Sequence, residues 1–269
     1  MPSAQFATAD RVRDLFDRIA PQYDRLNDLL SLGLHRVWKE MAVKWAEPPA
    51  GGTVLDACCG SGDLALRLAR RVGSQGRVVG IDLSENLLAI ARQRSGILAE
   101  GDRITWQQGD ALALPFEEGT FDAVTVGYGL RNVTDIPRSL REIERVLRPG
   151  RRAAILDFQS GVGASSTTTE DNPANWFQQT YLTGIVEPVA MQLGLADEYA
   201  YIRDSLQAFP DGRTQRALAR DAGFERATYY DVAGGLMGVL VLQKGDRLNP
   251  AEHLRDENPL NPERNTGVY

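Results

Sequence analysis

Only two cysteines occur in 269 residues, and they are neighbours, Cys58 and Cys59. Adjacent cysteines do not staple distant segments, so no disulfide framework is expected; small residues beside a loop, or a reactive thiol, are the two readings open. Histidine is as scarce. His35 and His253 stand far apart, without metal-ligand spacing, so no metal site is expected. Basic residues are outnumbered, 30 Lys and Arg against 36 Asp and Glu, for a net charge of −6. That balance argues against nucleic acid as a partner, because its binders carry a basic footprint. No apolar run reaches about 18 residues and no secretory pattern opens the sequence, so the expected setting is cytoplasmic. What is left, 43% hydrophobic and 25% charged, is the composition of an ordinary globular α/β domain with additions.

The chain is organised around Thr53 to Asp63, TVLDACCGSGD. It reads as a buried strand, a small-residue loop and the start of a helix. Gly60 and Gly62 let the backbone turn tightly and approach a ligand, and Ala65 falls at the third position of a G-x-G-x-x-G/A fingerprint. Alone, such a loop serves many nucleotides or none. Asp56, at the strand end, would repel a pyrophosphate and suits an ammonium group instead. Val78 to Asp82 makes a second strand whose terminal Asp82 is placed to take ribose hydroxyls. An acid for an ammonium and an acid for a ribose describe S-adenosylmethionine better than a nicotinamide nucleotide.

The rest follows the same alternation. A helix is expected over Val12, Leu15, Phe16 and Ile19, and a second over Arg36 to Trp45. Strands are expected at Ile104 to Gln107, Phe121 to Gly127 and Arg152 to Phe158, with helices between them. Such alternation implies a parallel sheet with right-handed crossovers, whose ligands gather at the carboxyl ends of the strands. Asp56, Asp82, Asp110 and Gly127 all fall there. A Ser/Thr/Gly-rich loop is expected over 159–174, a broken helix over Trp176 to Leu195, then helices over Ala196 to Ala208 and Arg213 to Ala222. Two strands, Arg226 to Val232 and Leu236 to Gln243, close the sheet before a polar tail.

Three stretches resemble the ubiquinone/menaquinone-biosynthesis C-methyltransferase family. Tyr23 to Trp38 matches its N-terminal signature of Tyr-Asp, Asn, Ser, His and Trp. Gly129 to Asp135, GLRNVTD, matches its G-L-R-N-V-x-D element. Arg145 to Gly150, RVLRPG, is shared with methyltransferases generally. The resemblance runs from about Val12 to Lys244. It departs from the family at Cys58, where a glycine is usual, and at Asp157-Phe158-Gln159, where the signature has Glu-x-Ser. The end, Gly234 to Val239, looks like the branch of photosynthetic organisms that methylates 2-phytyl-1,4-naphthoquinol. The fold so implied is α/β, a class I S-adenosylmethionine-dependent methyltransferase (Rossmann-like). Its mostly parallel seven-stranded sheet carries helices on both faces. Residues 1–47 would form a helical lid and 48–245 the methyltransferase domain, with a substrate-side insertion around 159–210; 246–269 would be a polar flexible tail.

The resemblance implies S-adenosyl-L-methionine as cofactor. Asp56, Gly60, Ser61 and Gly62 would hold its amino-acid end, and Asp82 its ribose. Leu83, Asp110, Ala111 and Gly127 would line the adenine pocket. Arg131 and Asn132 would meet the quinol, Arg131 stabilising a phenolate or positioning a water, with Tyr23 or His35 passing the proton and Asp157 a further base candidate. The amphipathic stretch 23–38 reads either as a lid or as a helix packed on the domain. The implied partner is a prenylated (phytyl) naphthoquinol, collected by transient contact with a membrane surface through Leu26 to Val37 or Tyr181 to Leu195. A homodimer stays open. Beside a demethylmenaquinone or ubiquinone-pathway C-methyltransferase of the same family, the rival readings are another S-adenosylmethionine enzyme on the same scaffold acting on a small molecule or sterol, a nicotinamide dehydrogenase and a non-catalytic scaffold. The first has no reason to keep Tyr23, His35 and Trp38, Asp56 argues against the second, and the third has no need of Asp82 and Asp110.

Overall fold

A computed structural model describes residues 9–20, 33–159, 191 and 196–246. Helix α1 spans Ala9–Ile19 and α2 spans His35–Ala46. Strand β1, Thr53–Ala57, then enters α3, Asp63–Val72, and the alternation runs on through β2 (Arg77–Asp82), α4 (Glu85–Ser95), β3 (Ile104–Gln108), β4 (Phe121–Gly127), α5 (Ile136–Val146) and β5 (Leu147–Phe158). Helices α6, Ala196–Ala208, and α7, Gly212–Asp221, precede the hairpin of β6, Phe224–Val232, and β7, Met237–Lys244.

The seven strands form one sheet in the order β3-β2-β1-β4-β5-β7-β6. The first five are parallel, and β7 runs antiparallel to both its neighbours. The order reverses between β1 and β4, so their loops diverge and leave a crevice at the carboxyl edge. Side chains of β1 alternate between the faces as a strand's period of two requires. Val54 joins Trp38, Leu64, Leu68 and Leu156 on one side; Leu55 and Ala57 join Leu140, Ile143 and Ile155 on the other. Strand β4 is buried at every position but its last, as an inner parallel strand should be.

Local chemistry sets the helix starts. Ser84 Oγ accepts from Leu87 N at 3.1 Å, Asp135 Oδ1 from Arg138 N at 2.9 Å, and Asp211 Oδ1 from Thr214 N at 2.7 Å. Each occupies one of the orphan N–H donors of a first turn.

Among the described residues the expected strands and helices form, and the largest change of extent is in β5. Strand β5 begins at Leu147, ahead of the expected Arg152, and carries Arg148-Pro149-Gly150 inside it. Leu147 pairs with Phe121 and Arg152 with Ala123, so an irregularity absorbs the Pro-Gly pair. Gly150 takes φ +73, which its lack of a Cβ permits. The expected loop at 159–174 and nearly all of the broken helix at 176–195 lie outside the described residues, as do Tyr23 and the tail from 247.

Candidate active site

The crevice between β1 and β4 opens into a cleft of about 690 Å³. Its floor is the loop after β1, at Cys58 and Gly60, facing Gly127 to Gly129 after β4. Asp82, Leu83 and Ser84 form one wall after β2. Asp110, Ala111 and Leu112 form another after β3. Asn132, Val133 and Thr134 close the far end, and Val12, Arg13 and Phe16 of α1 lie over the top.

The floor needs unusual backbone. Gly60 has φ +53 and Gly62 φ +86, but Cys58 and Tyr128 also sit in the left-handed region, at φ +54 and +60. Left-handed conformations at non-glycine residues cost about 1–2 kcal/mol each. The two strained residues face each other across the strand-order reversal. A Cβ built on Gly129 would lie 2.3 Å from Cys58 Cβ, so only glycine fits there. At Gly62 a Cβ would lie 2.4 Å from the Trp106 ring, and the same indole presses on Gly80. Trp106 is itself held by Ser95 Oγ, 3.0 Å from its Nε1.

Asp82 is the polar centre of the cleft. Its Oδ2 accepts from Gly60 N at 2.8 Å and its Oδ1 from Ser84 N at 2.9 Å. Burial raises its pKa; the N–H groups of Ser84, Gly60 and Leu83 counter that, and the nearby Asp17 adds to it. Each oxygen keeps a lone pair for a ligand hydroxyl. Asp110 uses Oδ1 to accept from Leu112 N at 2.9 Å, which shapes the β3 loop, and Gln108 Nε2 donates to Leu83 O at 2.9 Å.

Asp56 lies one layer lower. It is fully buried, and Thr125 Oγ1 donates to its Oδ1 at 2.8 Å. Its Oδ2 has no hydrogen-bond partner among the described residues. Burial pushes its carboxyl up to about 7, against the lowering pull of Thr125, of the Lys39 charge and of the nearby Ala65 N–H, with Asp82 adding a small rise. Asp56 does not line the cleft, although the sequence places it against a ligand ammonium; it acts on the floor from below. Lys39 also bridges to Asp63 at 2.8 Å, tying α2 to the start of α3.

Ser61, expected at the ligand, is turned under the loop instead. It is buried, and Arg94 Nη1 donates to its Oγ at 2.9 Å and to its carbonyl at 3.2 Å. Gly62 likewise packs on Trp106 rather than on the cleft. Arg131, expected to face a phenolate, is buried in an ion pair with Asp157 and donates to Tyr128 O at 3.1 Å. Its backbone N–H also reaches Asp157 Oδ2 at 3.2 Å. The guanidinium stacks over the rings of Phe158 and Tyr128, 5.3 and 6.0 Å from their centroids. Asp157, accepting from Arg131, is therefore committed as a counter-charge, not poised as a base. Asn132 does line the cleft, beside Tyr128. His35 is buried in the first turn of α2 and is not part of the cleft wall.

Thus Gly60, Asp82, Leu83, Asp110, Ala111, Gly127 and Asn132 converge on one cavity, and Asp56, Ser61, Gly62, Arg131 and His35 support it or stand apart. Helix α1 falls within the residues 1–47 expected to form a lid, but sequence reasoning missed what seats it. Asp17 Oδ1 accepts from Ser84 Oγ and, at 3.4 Å, from Asn86 N, while Asn86 Nδ2 donates to the Asp17 carbonyl at 3.2 Å. These bonds lay α1 across the cleft mouth. The spacing of Val12 and Phe16 gives the apolar face but not what it faces.

Comparison with known proteins agrees with this geometry. The model of the ubiE/COQ5 methyltransferase family matches residues 4–244. A 2-phytyl-1,4-naphtoquinone methyltransferase of Trichormus variabilis is 55% identical over 235 residues, 87% of this chain and 99% of its own. The chloroplastic 2-phytyl-1,4-beta-naphthoquinone methyltransferase of Arabidopsis thaliana is 48% identical over 234 residues, 86% of this chain and 87% of its own. Among solved structures, phosphoethanolamine N-methyltransferase 2 of Haemonchus contortus, in complex with S-adenosyl-L-methionine, superposes with a TM-score of 0.61 at 17% identity, over 87% of this chain and 60% of that one. A SAM-dependent methyltransferase from Aquifex aeolicus gives 0.56 at 17% identity, over 82% and 97%. Structural likeness at such identity speaks for the fold, a Rossmann-like class I sheet. The family match spans nearly the whole domain and the sequence identity is high across it: the chain belongs to the ubiE/COQ5 methyltransferase family.

Proposed function

We propose that this methyltransferase moves the methyl group of S-adenosyl-L-methionine to a ring carbon of a prenylated naphthoquinol, and that the acceptor is 2-phytyl-1,4-naphthoquinol, in the last methylation of phylloquinone biosynthesis. The observation that carries the reading is the 55% identity, over 99% of its length, to a relative named for that substrate.

The cleft fits the cofactor on its own terms. Asp82 keeps acceptor capacity for two ribose hydroxyls. Leu83, Ala111 and Leu112 offer an apolar slot for a flat base, with Asp110 at its rim. The Gly60 turn lets an amino-acid end approach the backbone, and the buried Asp56 beneath, in its ionised form, would supply negative charge without contact. When bound, the cofactor supplies an electrophilic methyl on sulfur. The residues of the chain do the rest. The α1 roof and the apolar walls exclude water, which strengthens every charge interaction inside. The floor at Cys58, Gly127 and Tyr128 fixes where the two ligands meet, and alignment of that kind accounts for much of the rate of a displacement at carbon. Asn132 stands at the acceptor end, where a quinol oxygen is anionic once its hydroxyl has given up the proton and before its ring carbon attacks.

Collection of a phytyl quinol requires contact with a bilayer surface. No helix of the described residues is long and apolar enough to cross a membrane. At the start of α2, Leu34 and Val37 are exposed by 48% and 56%, with the exposed Arg36 between them. Two apolar side chains and a cation suit shallow insertion among anionic headgroups. This supports a peripheral contact at that corner.

The test is a transfer assay with labelled S-adenosylmethionine and chemically reduced demethylphylloquinone in vesicles, beside demethylmenaquinol and a ubiquinone-pathway quinol. Preference for the phytyl naphthoquinol is expected. Equal transfer to demethylmenaquinol removes the substrate assignment, and cofactor binding without transfer to any quinol removes the function.

A further inference from the structure

We propose that Tyr201, on helix α6, is a positioning residue that turns the Asn132 side chain into a hydrogen-bond donor at the acceptor end of the cleft. The proposal rests on the acceptor being a quinol whose oxygen gains negative charge.

Asn132 has two polar side-chain neighbours among the described residues. Its Nδ2 lies 2.9 Å from the Tyr128 carbonyl oxygen, and its Oδ1 lies 3.2 Å from Tyr201 Oη. A carbonyl oxygen only accepts, so the end of the amide facing Tyr128 must be nitrogen. The oxygen end then faces Tyr201, and the phenol must donate to it. One N–H of Asn132 has no partner among the described residues, and Asn132 lines the cleft. The amide therefore presents a donor to whatever occupies that end. A donor aimed at that oxygen stabilises the phenolate formed when the hydroxyl gives up its proton, the step that makes the ring carbon nucleophilic, provided its direction is fixed in advance.

Two features make the Tyr201 hydroxyl a dependable donor. It is half-buried, on a helix that packs against the 130–132 turn. Burial raises its pKa, and the positive charge of Arg131 offsets only part of that, so the phenol keeps its proton in neutral solution. Arg131 is in turn neutralised by Asp157. The acceptor end is thus built as a relay of orientation, with Asp157 holding Arg131 and with Tyr201 and Tyr128 holding Asn132. No proton moves along it. Tyr201 does not itself line the cleft and reaches it only through Asn132.

The variant Tyr201→Phe keeps the ring and removes the donor. Turnover of reduced demethylphylloquinone should fall about ten-fold, the effect of losing one well-placed hydrogen bond, with the Kd for S-adenosylmethionine unchanged. Asn132→Ala should fall at least as far, and the double variant no further than Asn132→Ala alone. A purely structural tyrosine would instead weaken cofactor binding with turnover, and its loss would multiply with that of Asn132. Either result overturns the proposal, as does wild-type turnover in Tyr201→Phe. A second readout needs no quinol. The side-chain amide signal of Asn132 in a 15N spectrum, assigned by its disappearance in Asn132→Asp, should shift and exchange faster with solvent in Tyr201→Phe. An unchanged signal refutes the positioning role even if the wild-type enzyme proves to act on another acceptor.

Discussion

At Cys58 the chain keeps a cysteine in a backbone conformation that favours glycine, and Gly129 answers it across the crevice. The two Cβ positions compete for one space, since a Cβ on Gly129 would come within 2.3 Å of Cys58 Cβ. Gly129 has an ordinary φ of −102, so the obstacle is steric alone. Gly129→Ala should therefore destabilise by about 1–3 kcal/mol through overpacking. Cys58→Gly in the same chain should recover much of that loss, because it removes the opposing Cβ and relieves the left-handed strain. Thermal unfolding of the two single variants and the double variant measures this; losses that simply add would refute it. The Arg131–Asp157 pair obeys a different rule. Both side chains are nearly inaccessible, so removing one partner leaves a buried charge alone. Asp157→Ala should cost about 3–5 kcal/mol in urea unfolding. A loss within the range of an exposed pair, under about 1 kcal/mol, would mean that solvent reaches the guanidinium. The sequence names Arg131 and Asp157 as polar residues near a ligand edge, but not that they neutralise each other, because that contact joins a loop after β4 to the carboxyl end of strand β5.

Among the elements, helix α1 changes the picture most. Its apolar face is legible from the spacing of Val12, Leu15 and Phe16. Its seat is not, since the bonds that fix it run from Asp17 to Ser84 and Asn86, 67 and 69 residues away. The strands are legible for the opposite reason. Alternation with helices forces a parallel sheet, and a parallel sheet brings Asp82, Asp110 and Gly127 to one edge whatever their distance in sequence. Glycines were harder to read. Gly62 looks like a ligand contact, yet the space it leaves is taken by Trp106, a pairing that the glycine pattern does not encode. Of the residues 1–47 expected to form a lid, α1 lies over the cleft; the described end of the stretch 23–38, read either as lid or as packed helix, begins α2 and packs on the sheet. If Asp17 is what seats α1, Asp17→Ala should loosen the roof without touching the floor. Cofactor dissociation should quicken about five- to ten-fold in stopped-flow measurements, the scale of one or two surface-proximal hydrogen bonds. An unchanged dissociation rate would show that Val12 and Phe16 hold the helix by themselves.

For the whole molecule, the buried carboxyl of Asp56 links stability to pH. An unfolded aspartate titrates near 3.8, whereas in the folded protein Asp56 titrates at about 7, because burial penalises its charge more than Thr125 and Lys39 favour it. Between those values the native state holds a proton that the unfolded state lacks. Stability is therefore greatest below the unfolded value and falls as pH rises through about 7. The full effect is on the order of 4 kcal/mol, from about three pH units at 1.36 kcal/mol each. Asp56→Asn keeps the shape and cannot ionise, so its stability relative to wild type should rise steadily from about pH 5 to about pH 8. Urea titrations across that range measure the difference, and two parallel curves would mean that Asp56 stays ionised in the fold. The same charge bears on the cofactor. The ammonium of S-adenosylmethionine favours the ionised form of Asp56, so its affinity should increase with pH through about 7 in the wild type. In Asp56→Asn that increase should vanish while binding at low pH persists. Calorimetry at both ends of the range separates the two roles. A pH-independent affinity in the wild type would leave Asp56 as a determinant of stability alone, with the cofactor's amino group held by the backbone around Gly60.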